Sequence, residues 1–457
     1  MCLSEKADGF LFQKVTTGIG SLLCLNYGVL FGITSSNIIL YQSADSPLSK
    51  TVDIEGASLL GAYLCLGGII GSLVFGYASD KIGPKSTLLL CGLLQIGCWF
   101  CILFAYHIDH IYSSRIAGGL AAGGAFAVLP IYIKDISEEK HQRFLQPLTD
   151  FYKNVGIFLG FIMTSLTPYE ILPIIGLCIS FIFTMLFPFM PESPYFYVSI
   201  GDISMMEKSL RWLRGIRKLE DRNKPEFLDE IKNIVECQTN YFGKIVHKSN
   251  YPRLILVSLI MVLTSQLSGI FLIFNYAETI FIKLSTPKDA KWSVIILAGA
   301  QLIGSFISTS VQNKINQKTL ISVTAISCGI ILITLSILMT FHNLIKLNAL
   351  QIKWITLIIL TVYILIANIG FFSLTFVVVS DISPEKIRAK AICLSMSLMW
   401  LLAMLAVKFY YVLNDSIDFA GLLWIFGGTC LFEFFFTMWF LKQTHSEIDG
   451  TGTWKSS

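Results

Sequence analysis

Apolar runs of about twenty residues, each bounded by short polar or charged segments, recur along the whole chain. At 1.5 Å per helical residue, a run of that length crosses the roughly 30 Å hydrocarbon layer of a bilayer. The pattern predicts twelve spanning helices. Six fall at about 13–40, 55–77, 86–106, 112–133, 145–165 and 170–190. After a polar stretch of about 60 residues come 253–281, 293–312, 319–341, 353–379, 390–413 and 419–441. The expected fold is therefore an all-α membrane protein of two pseudo-symmetric six-helix halves, 1–190 and 253–441. A loop at 191–252 joins them and a tail at 442–457 follows. Within the loop, Met205-Met206-Glu207-Lys208-Ser209-Leu210-Arg211-Trp212-Leu213-Arg214-Gly215 sets apolar residues at helical spacing with charges between them. It predicts an amphipathic helix stopped at Gly215, and a second is expected around 225–237, both lying against the ends of the bundle.

A repeat supports the two-half reading. Asp135-Ile136-Ser137-Glu138-Glu139-Lys140 returns as Asp381-Ile382-Ser383-Pro384-Glu385-Lys386. Each copy ends a long apolar run and is followed by an arginine, Arg143 or Arg388. Paired membrane halves around a midplane site are the architecture of many secondary transporters. Carboxylates and arginines at corresponding ends of both halves can form a charge network that biases the halves towards one arrangement. The plainer reading of these residues is positive-inside anchoring.

Composition agrees with lipid as the solvent. Of the 457 residues, 54% are hydrophobic and 14% charged, against about 25% charged in a soluble domain. A net charge of +4 is too small to point to nucleic acid. Nine of the 11 cysteines lie in apolar segments and read as small apolar filler. No metal, cofactor or nucleophile motif stands out, so no enzyme and no cofactor is expected. The first apolar stretch is long enough to span and lacks a small-residue cleavage site, so no cleavable signal is expected. With both termini cytoplasmic and the long loop left out, inside loops carry ten Lys or Arg against six outside.

Further motifs punctuate the helices. Gly76-Tyr77-Ala78-Ser79-Asp80-Lys81-Ile82-Gly83-Pro84-Lys85 joins the second and third. Its counterpart in the second half, Asn313-Lys314-Ile315-Asn316-Gln317-Lys318, has an amide for the acid and no glycine. Arg115-Ile116-Ala117-Gly118-Gly119 leads to Pro130-Ile131-Tyr132, and Pro191-Glu192-Ser193-Pro194 follows the sixth helix. Gln266-Leu267-Ser268-Gly269-Ile270 lies in the seventh, and Arg388 and Trp400 in the eleventh. In this order, over about 15–440, these residues make the chain resemble the sugar-porter branch of the major facilitator superfamily. With Asn154-Val155-Gly156-Ile157 in the fifth helix, it is most similar to insect facilitated trehalose transporters.

The resemblance implies a polar cavity at mid-membrane that takes a sugar by alternating access. It assigns solute contact to Gln266, Gln301 and Trp400, an outer gate to Tyr276, and an inner gate to Asp80, Lys85, Asp135, Arg143, Glu192, Asp381 and Arg388. Amides suit hydroxyls, and aromatic faces suit the apolar face of a pyranose. Departures fall in the same region. Phe271 and Phe376 stand where the family has an asparagine and a tryptophan, and Ser265 and Met399 replace a glutamine and an asparagine. Gly370-Phe371-Phe372-Ser373 lacks the prolines of the tenth-helix hinge. Tyr195 stands for an arginine, and Lys442-Gln443-Thr444 for a proline-glutamate-threonine. Asp150, near another sugar-contacting position, and Lys153 are one turn apart. They read either as a neutralising pair or as a charged element of the cavity. Thr34 stands where proton-coupled members carry an aspartate, so facilitated diffusion is expected. Asn414-Asp415-Ser416 is a sequon too close to the membrane for use. The expected function is a passive carrier for hexose or trehalose in the plasma membrane. A carrier of a non-sugar solute, or a non-transporting sensor, are the alternatives.

Overall fold

The computed structural model describes residues 2–216, 225–239, 251–284, 286–312, 314–341, 348–382 and 385–449. The first half is α1 (Cys2–Gln42), α2 (Ile54–Ile82), α3 (Pro84–Leu103), α4 (Ile108–Ile136), the short α5 (Glu139–Leu145), α6 (Leu148–Leu166) and α7 (Ile171–Leu186). Three loop helices follow, α8 (Pro194–Ser199), α9 (Ile203–Arg214) and α10 (Pro225–Thr239). The second half is α11 (Tyr251–Leu267), α12 (Ile270–Asn275), α13 (Ala277–Leu284), α14 (Pro287–Val311), α15 (Gln317–Thr340), α16 (Ala349–Ile369), α17 (Phe371–Ile382) and α18 (Glu385–Asp449).

Ten segments among the described residues are long and apolar enough to cross a membrane. The longest, Lys390–Phe440, has 51 residues, over twice what one crossing needs. Asp418, at φ 57° and ψ 169°, breaks it into two limbs. The first limb runs antiparallel to α2, placing Cys393 against Gly76, Trp400 against Gly68 and Val407 against Gly61. The second lies along α11, with Thr429 bonded to the Leu267 carbonyl and Glu433 to the Thr264 hydroxyl. The polar first turns of α6, with Asp150, Lys153 and Asn154, set it apart from the ten apolar segments, and it completes the expected twelve.

Small residues let the first half close on itself. Gly28 and Gly32 of α1 face Gly156 and Gly160 of α6, and Gly67 and Gly71 of α2 face Gly119 and Gly123 of α4. A Cβ at Gly156 would sit 2.0 Å from the Leu25 carbonyl oxygen, and one at Gly119 2.0 Å from that of Leu64. Each is a small-xxx-small pair whose absent side chain brings backbones into contact, the main source of helix adhesion where lipid is as apolar as leucine.

The second half is built around breaks. The expected seventh helix is three pieces, broken at Gly269, which takes φ 88°, and again at Tyr276, at φ −117° and ψ 18°. Carbonyls freed there are not left bare: Ser268 accepts from the Tyr363 hydroxyl at 2.7 Å and Leu267 from Thr429 at 2.9 Å. The expected tenth helix also breaks, at Gly370, although its prolines are gone. The Thr324 hydroxyl receives the Phe371 N–H at 2.9 Å, and a Cβ at Gly370 would sit 2.6 Å from it. The hinge is thus retained by a partner on α15.

At one end of the bundle, here the loop face, α9 starts on the Asp202 cap and stops at Gly215 with φ 68°. It buries Met206, Leu210 and Leu213. Arg214 pairs with Glu230 of α10, lies 3.9 Å from Glu138, and donates to the Ile136 carbonyl. Gln13 of α1 donates to Glu138 and to the Leu213 carbonyl. Burial disfavours the Glu138 charge, yet Lys140, Arg214 and Gln13 hold its carboxyl below the usual glutamate range.

Candidate functional site

A cavity of about 160 Å³ lies between the halves. Its closed end is aromatic: Tyr27 and Phe31 of α1 meet Phe271 and Trp400 of the other half. Tyr27 stands edge-on to Trp400, centroids 5.8 Å apart at 89°, and Phe31 lies 4.9 Å from Phe271. Gln266, Gln301, Asp150 and Phe376 also line it. At the other end Gln146, Pro147 and Gln312 stand where α5, α6 and α14 reach the loop face, so the cavity opens there.

The polar walls carry unspent hydrogen-bonding capacity. Both amide atoms of Gln266, Oε1 of Gln301 and Nε1 of Trp400 are buried without a protein partner. Native proteins rarely leave such atoms unpaired, since each costs about 1–3 kcal/mol. Four in one cavity give it donors and acceptors suited to a polyhydroxylated solute. Gln266 stands in the last turn of α11, three residues before Gly269.

The charged pair of α6 is real. Lys153 is ion-paired with Oδ1 of Asp150. Oδ2 of Asp150 accepts from Asn154 at 3.2 Å and, across the halves, from Ser373 of α17 at 3.0 Å. The Lys153 ammonium also lies 5.4 Å from the centre of the Phe372 ring.

Tyr276 lies outside the cavity lining. It is buried at the opposite face, stacked on Tyr410 at 4.2 Å, and donates to the Val407 carbonyl at 2.8 Å. Beside it, Glu278 accepts from Ser36 at 2.5 Å and its N–H donates to Ser35 at 3.0 Å. These α1–α13 contacts join the halves and close that face.

The motif residues near the loop face form a clamp. Gly83, at φ 88°, turns the chain against Glu192, and a Cβ there would sit 2.5 Å from the carboxylate. Glu192 accepts from the Lys85 and Ser193 N–H groups, both at 2.9 Å. Burial pushes its carboxyl above the usual glutamate range, against these donors. Lys85 donates to the Pro188 carbonyl, Ser193 to Asp135, and Tyr132 to the Pro191 carbonyl. Asp80 feels the charge of Lys390 from the other half. Arg143 is exposed. The side chains of Asp381 and Arg388 lie outside the described residues.

Sequence reasoning passed over part of the lining. Ser305, Ser308 and the C-cap Gln312 continue from the expected Gln301 a polar stripe along one face of α14, legible as a helical period in an apolar run. Tyr27, Phe126, Phe274 and Met396 carry no such signal. Two buried acids also went unremarked: Glu278, and Glu433, which is held by Thr264 and Thr437.

Comparison with known proteins agrees with this geometry. A family model described as "Sugar (and other) transporter" matches residues 18–447. A facilitated trehalose transporter Tret1 of Bombyx mori is 26% identical over 446 residues, covering 95% of this chain and 84% of its own. That of Apis mellifera ligustica is 27% identical, covering 93% and 84%. Among solved structures, a double-tryptophan variant of XylE superposes with a TM-score of 0.78 at 19% identity, covering 95% of this chain and 96% of its own. XylE bound to 6-bromo-6-deoxy-D-glucose, described as a proton:xylose symporter, gives 0.76 at 19% identity, covering 94% and 95%. With twelve spans in two halves around a cavity, and a family match across nearly its whole length, the chain belongs to the sugar (and other) transporter family.

Proposed function

We propose that this chain is a facilitative carrier of a sugar, hexose or trehalose, that works by alternating access without proton coupling. The observation that carries the reading is the cluster of unpartnered amide and indole atoms at Gln266, Gln301 and Trp400 in an aromatic cavity. Hydroxyls both donate and accept, matching those atoms, while ring faces match the apolar sides of a pyranose. Asp150 and Lys153 neutralise each other, which favours an uncharged solute. The Tret1 relatives add trehalose to the sugars worth testing.

Absence of proton coupling rests on Arg115. It is 1% exposed and donates to the Thr34 hydroxyl at 2.8 Å and the Leu30 carbonyl at 3.1 Å. Neither partner takes up a proton near neutral pH, so this buried cation has no titrating counterpart among them.

In this reading the loop face is cytoplasmic, as the excess of basic residues favours, with both termini inside and the protein in the plasma membrane. Residues 1–190 and 253–441 rock about the cavity. Asp80, Lys85, Asp135, Arg143, Glu192, Asp381 and Arg388 set the inner gate, and Tyr276 belongs to the outer one.

The test is uptake of labelled glucose and trehalose into proteoliposomes, with and without a pH gradient. Saturable uptake indifferent to the gradient is expected, falling about tenfold or more in Gln266→Ala and Trp400→Ala. Folded, inserted protein that takes up neither sugar would sink the proposal.

A further inference from the structure

We propose that Asp150 and Asn154 are positioning residues that hold the Gln301 amide with its carbonyl turned into the cavity, so that the solute must donate a hydrogen bond there. The inference rests on the reading of the cavity as a sugar site. It begins with what a carboxylate can do: it accepts and does not donate. Lys153 occupies Oδ1 of Asp150, leaving Oδ2 to face Asn154 at 3.2 Å. The Asn154 group on that side must therefore be its NH2. Its carbonyl is then turned the other way, towards Gln301, where it accepts from Nε2 at 3.0 Å. Gln301 is left with Oε1, which is buried in the cavity wall without a partner. Asn154 is 0% exposed and does not line the cavity, so water offers its amide no alternative to Asp150 and Gln301. Turning either one over sets two acceptors or two donors head to head. The donor direction is thus fixed from the carboxylate outward, over two amides and across both halves of the protein.

Asp150→Asn reverses that direction without removing a side chain. Lys153 holds the carbonyl of the new amide, whose NH2 then faces Asn154. Asn154 turns over, and so does Gln301, presenting Nε2 to the cavity. Donors and acceptors change places while size and packing stay nearly constant; Lys153 loses its counter-charge, which acts on parent sugar and analogues alike and leaves their ratio untouched.

The experiment uses the full-length protein in proteoliposomes. A complete set of monofluoro glucoses competes against labelled glucose or trehalose, because fluorine replaces a hydroxyl in size but cannot donate. In the wild type, fluorine at one ring position is expected to weaken competition about tenfold relative to the parent sugar, the effect of a stranded buried acceptor. In Asp150→Asn that ratio is expected to fall below about threefold. Asn154→Leu cuts the chain and is expected to narrow the ratio as well, which keeps the test available should Asp150→Asn fail to insert. A merely structural role for Asp150 would weaken parent and analogues alike; an unchanged ratio in the variants overturns the inference. Wild type that transports sugar but shows no fluorine penalty at any position overturns it alone. Wild type that transports neither sugar overturns it together with the proposed function.

Discussion

Thr324 shows how one hydroxyl preserves a break in a helix. It receives the N–H that Gly370 leaves free at Phe371, from a position on the neighbouring α15. Thr324→Val strands that N–H inside the bundle, which costs about 1–3 kcal/mol. The apparent midpoint of thermal unfolding in detergent is expected to drop by a few degrees, whereas Thr324→Ser, which keeps the hydroxyl, stays near the wild type. Equal midpoints for Val and Ser would show that the bond contributes nothing. The missing prolines were legible in the sequence, but their substitute was not. Nothing local to Gly370 marks a threonine on another helix as its partner. The same holds for Asn154. It stood out as a family mark, yet its position between Asp150 and Gln301 needs α6 and α14 side by side. Gln266 and Trp400, by contrast, were visible as polar or amphipathic residues within apolar runs.

At the scale of elements, the first half owes its cohesion to backbone contact. Gly156→Leu would push a side chain into the Leu25 carbonyl on α1, where an ideal Cβ alone lies 2.0 Å away. Overpacking of this kind costs about 1–3 kcal/mol or more, so a clear loss of folded protein by size-exclusion profile is expected. Gly97→Ala is the matched control, since a Cβ there meets nothing within 4 Å; it should be neutral or slightly stabilising, as alanine is the better helix former. Indistinguishable profiles would mean that α1 and α6 are not held by this contact. Span positions were readable because each helix repeats its own apolar signal. The splitting of the seventh span into α11, α12 and α13 was not, because neither Gly269 nor Tyr276 in a continuous apolar run reveals its backbone angles. The two limbs of α18 were foreseen as separate helices, and Asp418 separates them.

For the molecule as a whole, hydrogen bonds between α1 and α13 help a buried cluster of both halves close the opposite face. Ser36 of α1 and Glu278 of α13 supply one of them directly across the halves. Ser36→Ala removes about 1 kcal/mol from that closure, a shift of about fivefold towards the arrangement open on that face. Spin labels at Thr51 and Trp292, exposed on that face in opposite halves, are expected to show a longer distance component in Ser36→Ala than in the wild type. Identical distance distributions would remove Ser36 from the closure.

The docking of α9 has a practical corollary. It rests on α1 and α8, and Arg214 and Gln13 tie it to Glu138 and to the end of α4. All of these anchors belong to the first half or to the loop itself. If the halves rock as proposed, an antibody fragment raised against the exposed side of α9 would therefore bind whichever face is open. It would serve as a fiducial mark for imaging without arresting the transport cycle. A binder raised against a surface shared by α1 and α13 would instead select one conformation and act as an inhibitor.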